Sequence, residues 1–278
     1  MPITKKSSPL VSIVVPAYNE QDYIARCLGS LMAQKGFKDY EVIVVDNNST
    51  DNTNIIAKKY PVRVIKENKQ GVVSARNTGL KSARGSIIVS TDADCFFKPY
   101  WLSNIVEIYE NNPKISGVAG HYNFYKAPLW AKILPPMGAV IVWMVSGLFR
   151  KTIYASATNI SFKKEYFSRG YDTVYFQGAD ERGVIKEISK HGSVFVTLKN
   201  PVCTSSRRVK QGFLHSIFVT VLYYYSYNVW STGKKGASSI GGHPTIRTET
   251  ALDHLDKLVV QWLIMLAIGI IVIFIIWK

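Results

Sequence analysis

The chain has 278 residues, 47% of them hydrophobic and 19% charged, with a formal net charge of 34 − 19 = +15. This length allows a sizeable buried core, and this composition excludes an intrinsically disordered protein. A basic surface can bind nucleic acid, but the sequence has neither zinc-finger spacing nor the aromatic signature of an RNA-recognition motif. We therefore expect no nucleic-acid partner, and we attribute the charge to anionic lipid and phosphate-bearing ligands.

Short apolar runs alternate with helical patterns in the first half of the chain. The runs read VSIVV at 11–15, EVIVV at 41–45, VRVI at 62–65 and SIIVS at 86–90. We expect Pro16 to end the first strand, an amphipathic stretch to open at Asn19 and Glu20, and a helix to cover 71–83. Strands and helices alternating at these lengths predict an α/β fold with βαβ units and a mostly parallel, buried sheet.

Polar clusters follow three of these runs, after Val15, Val45 and Ser90. In an open parallel sheet, ligands bind beyond the carboxyl ends of the strands. The three clusters should therefore line one site.

The third cluster contains Asp92 and Asp94 on either side of Ala93. In extended backbone, residues two apart point the same way, so the turn can present both carboxylates to one cation. A Mg²⁺ or Mn²⁺ ion held by one or two carboxylates completes its shell with water and substrate phosphates. Two solvated aspartates in a turn are the alternative interpretation, and the position after a buried strand favours the metal site.

Other polar residues each allow two interpretations. Asp46 and Asn47, at the end of the second run, can hold a base or ribose, whereas Asp51 reads as a helix cap. Arg76 can bind pyrophosphate or form a surface salt bridge. Asp180, at the start of a helical pattern, can cap the helix or act as a general base.

Apolar segments in the second half of the chain point to a membrane. The 258–277 segment has no charged residue and is long enough to cross a bilayer, with a buried core helix as the alternative. Basic residues precede it, which predicts a single-pass protein with its main domain in the cytoplasm. The 129–149 segment, interrupted by Pro135 and Pro136, reads as an interfacial or acceptor-lining element, with a second crossing left open.

Three further features complete this picture. The aromatic-rich 212–230 segment suits a helix at the lipid headgroups or packing against the domain, and 231–250 reads as a linker. The cysteines, Cys27, Cys95 and Cys203, are widely spaced and odd in number, which indicates reduced cytosolic thiols.

In this order, the motifs resemble those of the family 2 glycosyltransferases of the GT-A fold. The resemblance rests on VSIVVPAYNE, VIVVDNNSTDNT, GVVSARNTGL, the DAD at 92–94 and GADE at 178–181, and it covers roughly 10–210. It assigns nucleotide-sugar binding to Ala17, Tyr18, Glu20, Asp46, Asn47, Arg76, Asp92 and Ala93. It also assigns the metal to Asp94 and Asp92, and the catalytic base to Asp180. Asn47 departs from the commoner aspartate, which leaves the identity of the base open.

The resemblance implies an inverting, metal-dependent glycosyltransferase with a Mg²⁺ or Mn²⁺ cofactor. Its donor would be a nucleotide-sugar and its acceptor a saccharide or a lipid-linked hydroxyl, with membrane lipid as a further partner. Arg207 and Arg208 would face a diphosphate, a lipid phosphate or anionic headgroups. A polyprenyl-phosphate acceptor, a nucleotidyltransferase and a non-catalytic membrane scaffold are the alternatives.

The predicted domain organisation follows from these segments. It comprises a tail at 1–10, a catalytic domain at 11–210 with halves 11–95 and 96–210, an interfacial segment and linker at 211–257, and a transmembrane helix at 258–277.

Overall fold

A computed structural model describes residues 8–149, 152, 155–171, 180–207 and 209–212. The chain divides into two compact units, Met1–Ser205 and Ser206–Lys278. The predicted transmembrane helix, nearly all of the 211–257 segment, Arg208 and the Asp180 side chain lie outside the described residues. The predictions made for them stay predictions.

The first unit alternates strands and helices. In chain order these are β1 (Val11–Ala17), α1 (Ile24–Met32), β2 (Tyr40–Asp46), α2 (Thr53–Ala57), β3 (Arg63–Lys66), α3 (Val72–Ser82), β4 (Ile87–Ser90), β5 (Cys95–Phe96), α4 (Trp101–Asn111), β6 (Gly117–Tyr125), α5 (Leu129–Phe149), β7 (Ile160–Lys163), α6 (Asp180–Ile188) and β8 (Val194–Ser205). Short 3₁₀ turns lie at Lys164–Phe167 and, in the second unit, at Val209–Gln211. The four predicted strands and the helix predicted at 71–83 agree with these bounds to within two residues, whereas α1 begins at Ile24, four residues after Glu20.

The strands form one sheet in the order β3-β2-β1-β4-β7-β6-β8-β5. β1 to β4 pair in parallel, as the alternating pattern predicts. β7 is antiparallel to both β4 and β6, and β5 is antiparallel to β8. The sheet is therefore parallel in the nucleotide-binding half predicted from the sequence and mixed in the other half. Apolar runs report burial and not strand direction, so the sequence pattern did not reveal this change.

Pro16 does not end β1, which continues to Ala17. The β1–β2 register extends to Ala17 and Asp46, whereas the β1–β4 register stops at Val14 and Ser90. Along a strand, the N–H groups point alternately to the two neighbouring strands. The polar backbone groups of Val14 point toward β4, because Val14 O accepts from the Thr91 N–H. The N–H that Pro16 lacks would point the same way, beyond the last residue of β1 that pairs with β4, so no hydrogen bond of the sheet is lost.

Both faces of the sheet are buried under helices. Ile13 and Val15 pack with α1 and α4 on one face, whereas Val14 packs with α3 and α6 on the other. All three side chains are at most 2% exposed. Burying each one contributes about 1.5–3 kcal/mol, and burial on both faces explains why the strands read as continuous apolar runs.

A carboxylate ties the amino-terminal ends of the strands together. Glu41 accepts hydrogen bonds from Ser12 Oγ (2.8 Å), Arg63 (2.7 Å) and the Arg84 backbone N–H (2.7 Å). Partial burial raises the pKa of Glu41, but the bonds from Arg63, Arg84 and Ser12 outweigh it and hold the pKa below its ordinary value of 4.5. This cluster fixes the edge of the sheet opposite the polar loops.

Replacing Glu41 with glutamine should lower the free energy of unfolding by about 1–3 kcal/mol, because three hydrogen bonds lose a charged acceptor. A carboxylate with a lowered pKa stabilises the fold above its unfolded pKa, and this contribution is lost as the pH falls through the folded pKa. The gap between wild type and Glu41→Gln should thus be constant above about pH 5 and shrink in acid. Urea unfolding across this range measures it, with the exposed Glu110→Gln as control, and a gap that persists unchanged in acid would contradict the assignment.

The 129–149 segment forms one continuous helix, although Pro135 and Pro136 lie inside it. The expected interruption at the prolines is therefore not found. Within the described residues, α5 is the one helix long and apolar enough to cross a membrane by length and composition.

Candidate active site

The loops after β1 and β2 are bonded to each other. Ala17 O accepts from the Asn47 N–H (2.8 Å), and the Glu20 N–H donates to Thr53 Oγ1 (2.7 Å). Asp51 accepts from the Gln21 N–H and from Thr53 at the start of α2, as expected for a capping residue. Two of the predicted polar clusters thus form a single rigid edge.

Asp46 ends β2 and is only 5% exposed. Its two carboxylate oxygens accept from the Ser49 N–H (3.1 Å) and from Asn54 Nδ2 (2.9 Å). These bonds fix the carboxylate at the loop edge. Its contact with a nucleoside stays a prediction.

Asn47 holds the loop between β3 and α3. Its Nδ2 donates to the carbonyl oxygens of Glu67 (3.0 Å) and Lys69 (2.8 Å), and its Oδ1 accepts from the Gly71 N–H (2.7 Å). Both amide hydrogens are therefore used within the protein, and an aspartate could not donate them. The structure gives Asn47 a positioning role, while its predicted contact with the nucleoside stays untested.

Helix α3 carries Arg76 to the carboxylates. Gly79 lets the helix approach β1, since a Cβ there would lie 2.2 Å from Val14 Cγ1. The side chain of Arg76 is 5% exposed, and its NH2 donates to Asp92 Oδ1 at 2.8 Å. Arg76 thus forms a salt bridge that is buried on the arginine side and partly exposed on the aspartate side, and its binding of pyrophosphate stays a prediction. The pair fixes the orientation of Asp92.

Strand β8 holds the second aspartate. Ser205 Oγ donates to Asp94 Oδ2 (2.7 Å), and Thr204 Oγ1 donates to Asp94 Oδ1 (3.3 Å). Our sequence reasoning missed these two hydroxyls, because it looked at the arginines that follow them. Thr204 and Ser205 are adjacent hydroxyl residues just before those arginines, but no sequence pattern links them to Asp94, which lies 110 residues before Thr204.

The donor set fits a hard divalent cation. One ligand atom from each of Asp92, Asp94 and Cys95 lies within 4.8 Å of the others. Oxygen ligands suit Mg²⁺ and Mn²⁺. Burial, with smaller contributions from Asp94 and Asp92, raises the pKa of the Cys95 thiol. Because these ions prefer oxygen ligands, Asp92 and Asp94 are the residues that would hold the ion, and this assignment stays a prediction.

The remaining predicted residues lie at several places. Ala17 is buried at the end of β1, Ala93 is buried in the loop between β4 and β5, Glu20 is 5% exposed, and Tyr18 is half-buried. Asp180 is the first residue of α6. Arg207 belongs to the second unit. The structure thus brings Arg76, Asp92 and Asp94 together, and the predicted roles of the others stay predictions.

Residues 12–192 match the family model described as glycosyl transferase family 2. The chain belongs to this family. The Haloferax volcanii glycosyltransferase AglE is 39% identical over 101 residues, which cover 34% of this chain and 33% of AglE. A Methanococcus voltae protein, the dolichyl N-acetyl-alpha-D-glucosaminyl phosphate 3-beta-D-2,3-diacetamido-2,3-dideoxy-beta-D-glucuronosyltransferase, is 28% identical over 61% of this chain and 59% of its own length. The match thus spans between a third and three fifths of these relatives.

Solved structures show the same fold. The mannosyltransferase PcManGT from Pyrobaculum calidifontis, in complex with GDP-Man and Mn²⁺, has a TM-score of 0.57 and 24% identity, over 76% of this chain and 63% of that one. S. aureus TarS 1-349 in complex with UDP-GlcNAc has a TM-score of 0.55 and 19% identity, over 70% and 58%. At these identities the likeness establishes the GT-A fold, a mixed sheet with flanking helices.

Replacing Asn47 with aspartate should lower the free energy of unfolding by about 2 kcal/mol or more. The variant loses two donated hydrogen bonds and places a carboxylate against two carbonyl oxygens. Thermal unfolding measures the change, and Asn48→Asp, which removes one exposed bond to Asn68 O, is the matched control with a smaller loss. Unchanged stability together with altered nucleotide affinity in Asn47→Asp would show instead that the side chain reads the nucleoside.

Proposed function

We propose that the protein is an inverting glycosyltransferase that moves a sugar from a nucleotide-sugar donor to the hydroxyl of a lipid-linked acceptor. The observation that carries the proposal is the convergence of Asp92 and Asp94 at the carboxyl end of the sheet. Arg76 fixes the first carboxylate, and the hydroxyls of Thr204 and Ser205 fix the second. Preorganised carboxylates at this edge suit a cation bound to a diphosphate.

The donor would lie along the edge formed by the loops after β1, β2 and β4. In this proposal the nucleoside lies near Tyr18 and Asp46, and the diphosphate lies near Asp92 and Asp94. A Mg²⁺ or Mn²⁺ ion held by these two aspartates supplies positive charge that stabilises the departing nucleoside diphosphate. Arg76 adds a positive charge beside Asp92 and keeps that carboxylate in place.

Asp180 is the proposed general base. It would accept the proton of the acceptor hydroxyl while the oxygen attacks the anomeric carbon and the bond to the diphosphate breaks. A single displacement of this kind inverts the anomeric configuration. The proposal rests on the family motif at 178–181 and on the position of Asp180 at the start of α6.

A lipid-linked acceptor is supported by the relatives and by the sequence. The Methanococcus voltae relative is named as acting on a dolichyl sugar phosphate. The apolar 258–277 segment would anchor the protein beside such an acceptor, with the catalytic domain on the cytoplasmic side.

Sugar transfer to a polyprenyl phosphate is the second candidate. It is favoured by the likeness to the dolichol-phosphate mannosyltransferase of Pyrococcus furiosus, which is 29% identical over 49% of this chain and 41% of that protein. A phosphate acceptor is already anionic and needs no base. The two candidates therefore differ in their dependence on Asp180.

Turnover of a panel of nucleotide-sugars by the detergent-solubilised protein tests the proposal. We expect one donor to be hydrolysed or transferred only with Mg²⁺ or Mn²⁺, and Asp94→Asn to reduce turnover about 100-fold or more. Glu187→Gln, which alters a surface ion-pair cluster with Lys190 and Arg169, is the control and should keep wild-type turnover. If the folded protein neither binds nor turns over any donor of the panel, the proposal is overturned.

The same assay with Asp180→Asn separates the two acceptors. With a hydroxyl acceptor, loss of the base should reduce transfer by about 100-fold or more. Near-normal transfer to a polyprenyl phosphate would select the second candidate and remove Asp180 from its proposed role.

A further inference from the structure

Helix α5 connects two strands that pair with each other. It follows β6 after a short turn, and β7 begins at Ile160. Gly117, Val118 and Ala119 of β6 pair with Phe162, Ser161 and Ile160 of β7. The chain therefore enters and leaves α5 on the same sheet.

This topology conflicts with a membrane crossing. The 21 residues of α5 would measure about 31 Å, enough to cross the hydrocarbon core. A single crossing, however, would place β6 and β7 on opposite sides of the bilayer, and paired strands cannot be separated in this way. The helix is therefore long and apolar enough to cross a membrane, but the pairing of β6 with β7 does not permit a single crossing.

One side of α5 packs on the domain, against β6 and β8. Its other side exposes large apolar side chains along the whole length: Leu129, Ile133, Leu134, Met137, Val140, Ile141, Trp143, Met144, Leu148 and Phe149. The most exposed of these, Leu148, is 78% accessible. Proteins surrounded only by water rarely expose an apolar surface of this extent.

The segment of sequence that contains α5 carries charges of one sign. From 111 to 164 the sequence contains seven Lys or Arg residues and no Asp or Glu. Lys126 and Lys132 are exposed at the start of α5, and Arg150 and Lys151 follow its end in the sequence. An apolar face between basic residues complements a leaflet that contains anionic lipid, whose headgroups attract the bases while its acyl chains receive the apolar side chains.

We propose that α5 lies in the plane of the membrane, with its exposed face inserted at the boundary between headgroups and acyl chains. An ordinary interfacial helix needs a polar face toward water. α5 has no such face. On its less exposed side, which lies toward β6 and β8, Ala131 is buried and Ala139 and Val142 are partly buried. In the docked state the domain would lie on this side of the helix and the bilayer on the other.

Docking through α5 would place the active site at the membrane surface. The helix packs against β8, and the last two residues of β8 hold Asp94. An acceptor carried by a lipid would then reach the carboxylates without leaving the bilayer. This consequence rests on the proposed function, whereas the docking of α5 does not.

Fluorescence quenching by nitroxide lipids tests the docking without any turnover. Single cysteines at Ile133, Ile141 and Leu148, in a Cys203→Ser background, would each carry an environment-sensitive fluorophore, because the remaining Cys27 and Cys95 are buried. The matched control is Ile55→Cys, since Ile55 on α2 is 60% exposed and Ile141 is 58% exposed. The full chain would be reconstituted in vesicles of phosphatidylcholine and phosphatidylglycerol with a nitroxide at a shallow or a deep acyl position.

We expect the three α5 probes to be quenched several-fold more strongly than the Ile55 probe, and by the shallow nitroxide to a similar extent at all three positions. Equal quenching of the α5 and Ile55 probes would overturn the docking. Deep quenching at Ile141 with shallow quenching at the two ends would show a crossing. Probes that are shielded from water but not quenched by lipid would show that a second copy or another segment of the chain covers the face.

Discussion

The ion pair between Arg76 and Asp92 is the contact on which the candidate site depends. The guanidinium of Arg76 is 5% exposed, so removing its carboxylate partner would leave a buried charge without compensation. The position of α3 is therefore coupled to the carboxylates that follow β4. Asn47 extends this coupling, because its bond to the Gly71 N–H fixes the residue before α3 to the end of β2. Hydrogen bonds and an ion pair therefore connect the loops after β2 and β3 to the carboxylate of Asp92.

The two halves of the sheet each orient one of the two aspartates. Asp92 is oriented from the parallel half by α3, whereas Asp94 is oriented from the mixed half by the end of β8. Antiparallel pairing of Cys95 with Thr204 brings β8 to this place. A change in either half would alter the distance between the two carboxylates. Mg²⁺ tolerates little deviation in its coordination geometry, so such a change would weaken its binding. The same strand packs against α5, so the proposed membrane-docking helix and the proposed metal site both rest on β8.

The sequence predicted strands, helices and loop positions well, but it did not predict which side chains contact each other. β2, α3 and the placement of Asp92 beside Asp94 follow from apolar periodicity and from the position of polar residues after buried strands. The ion pair of Arg76 with Asp92 spans 16 residues, and the hydrogen bond from Ser205 to Asp94 spans 111. No periodic pattern encodes such contacts. The role of Asn47 was not predictable either, because an asparagine that holds a loop cannot be distinguished by its sequence from one that binds a base. The direction of β7 likewise depends on tertiary packing, and burial patterns in the sequence do not indicate strand direction.

Binding of nucleoside diphosphates, measured calorimetrically with and without Mn²⁺, tests the central claim most directly. The claim is that Asp92 and Asp94 form a preorganised metal site for a diphosphate. It predicts that UDP or GDP binds wild type tightly only with Mn²⁺, that Asp94→Asn abolishes this metal dependence, and that Ser205→Ala weakens Mn²⁺ binding about 10-fold through the orientation of Asp94. Equal nucleotide binding with and without the metal, or in wild type and Asp94→Asn, would contradict it.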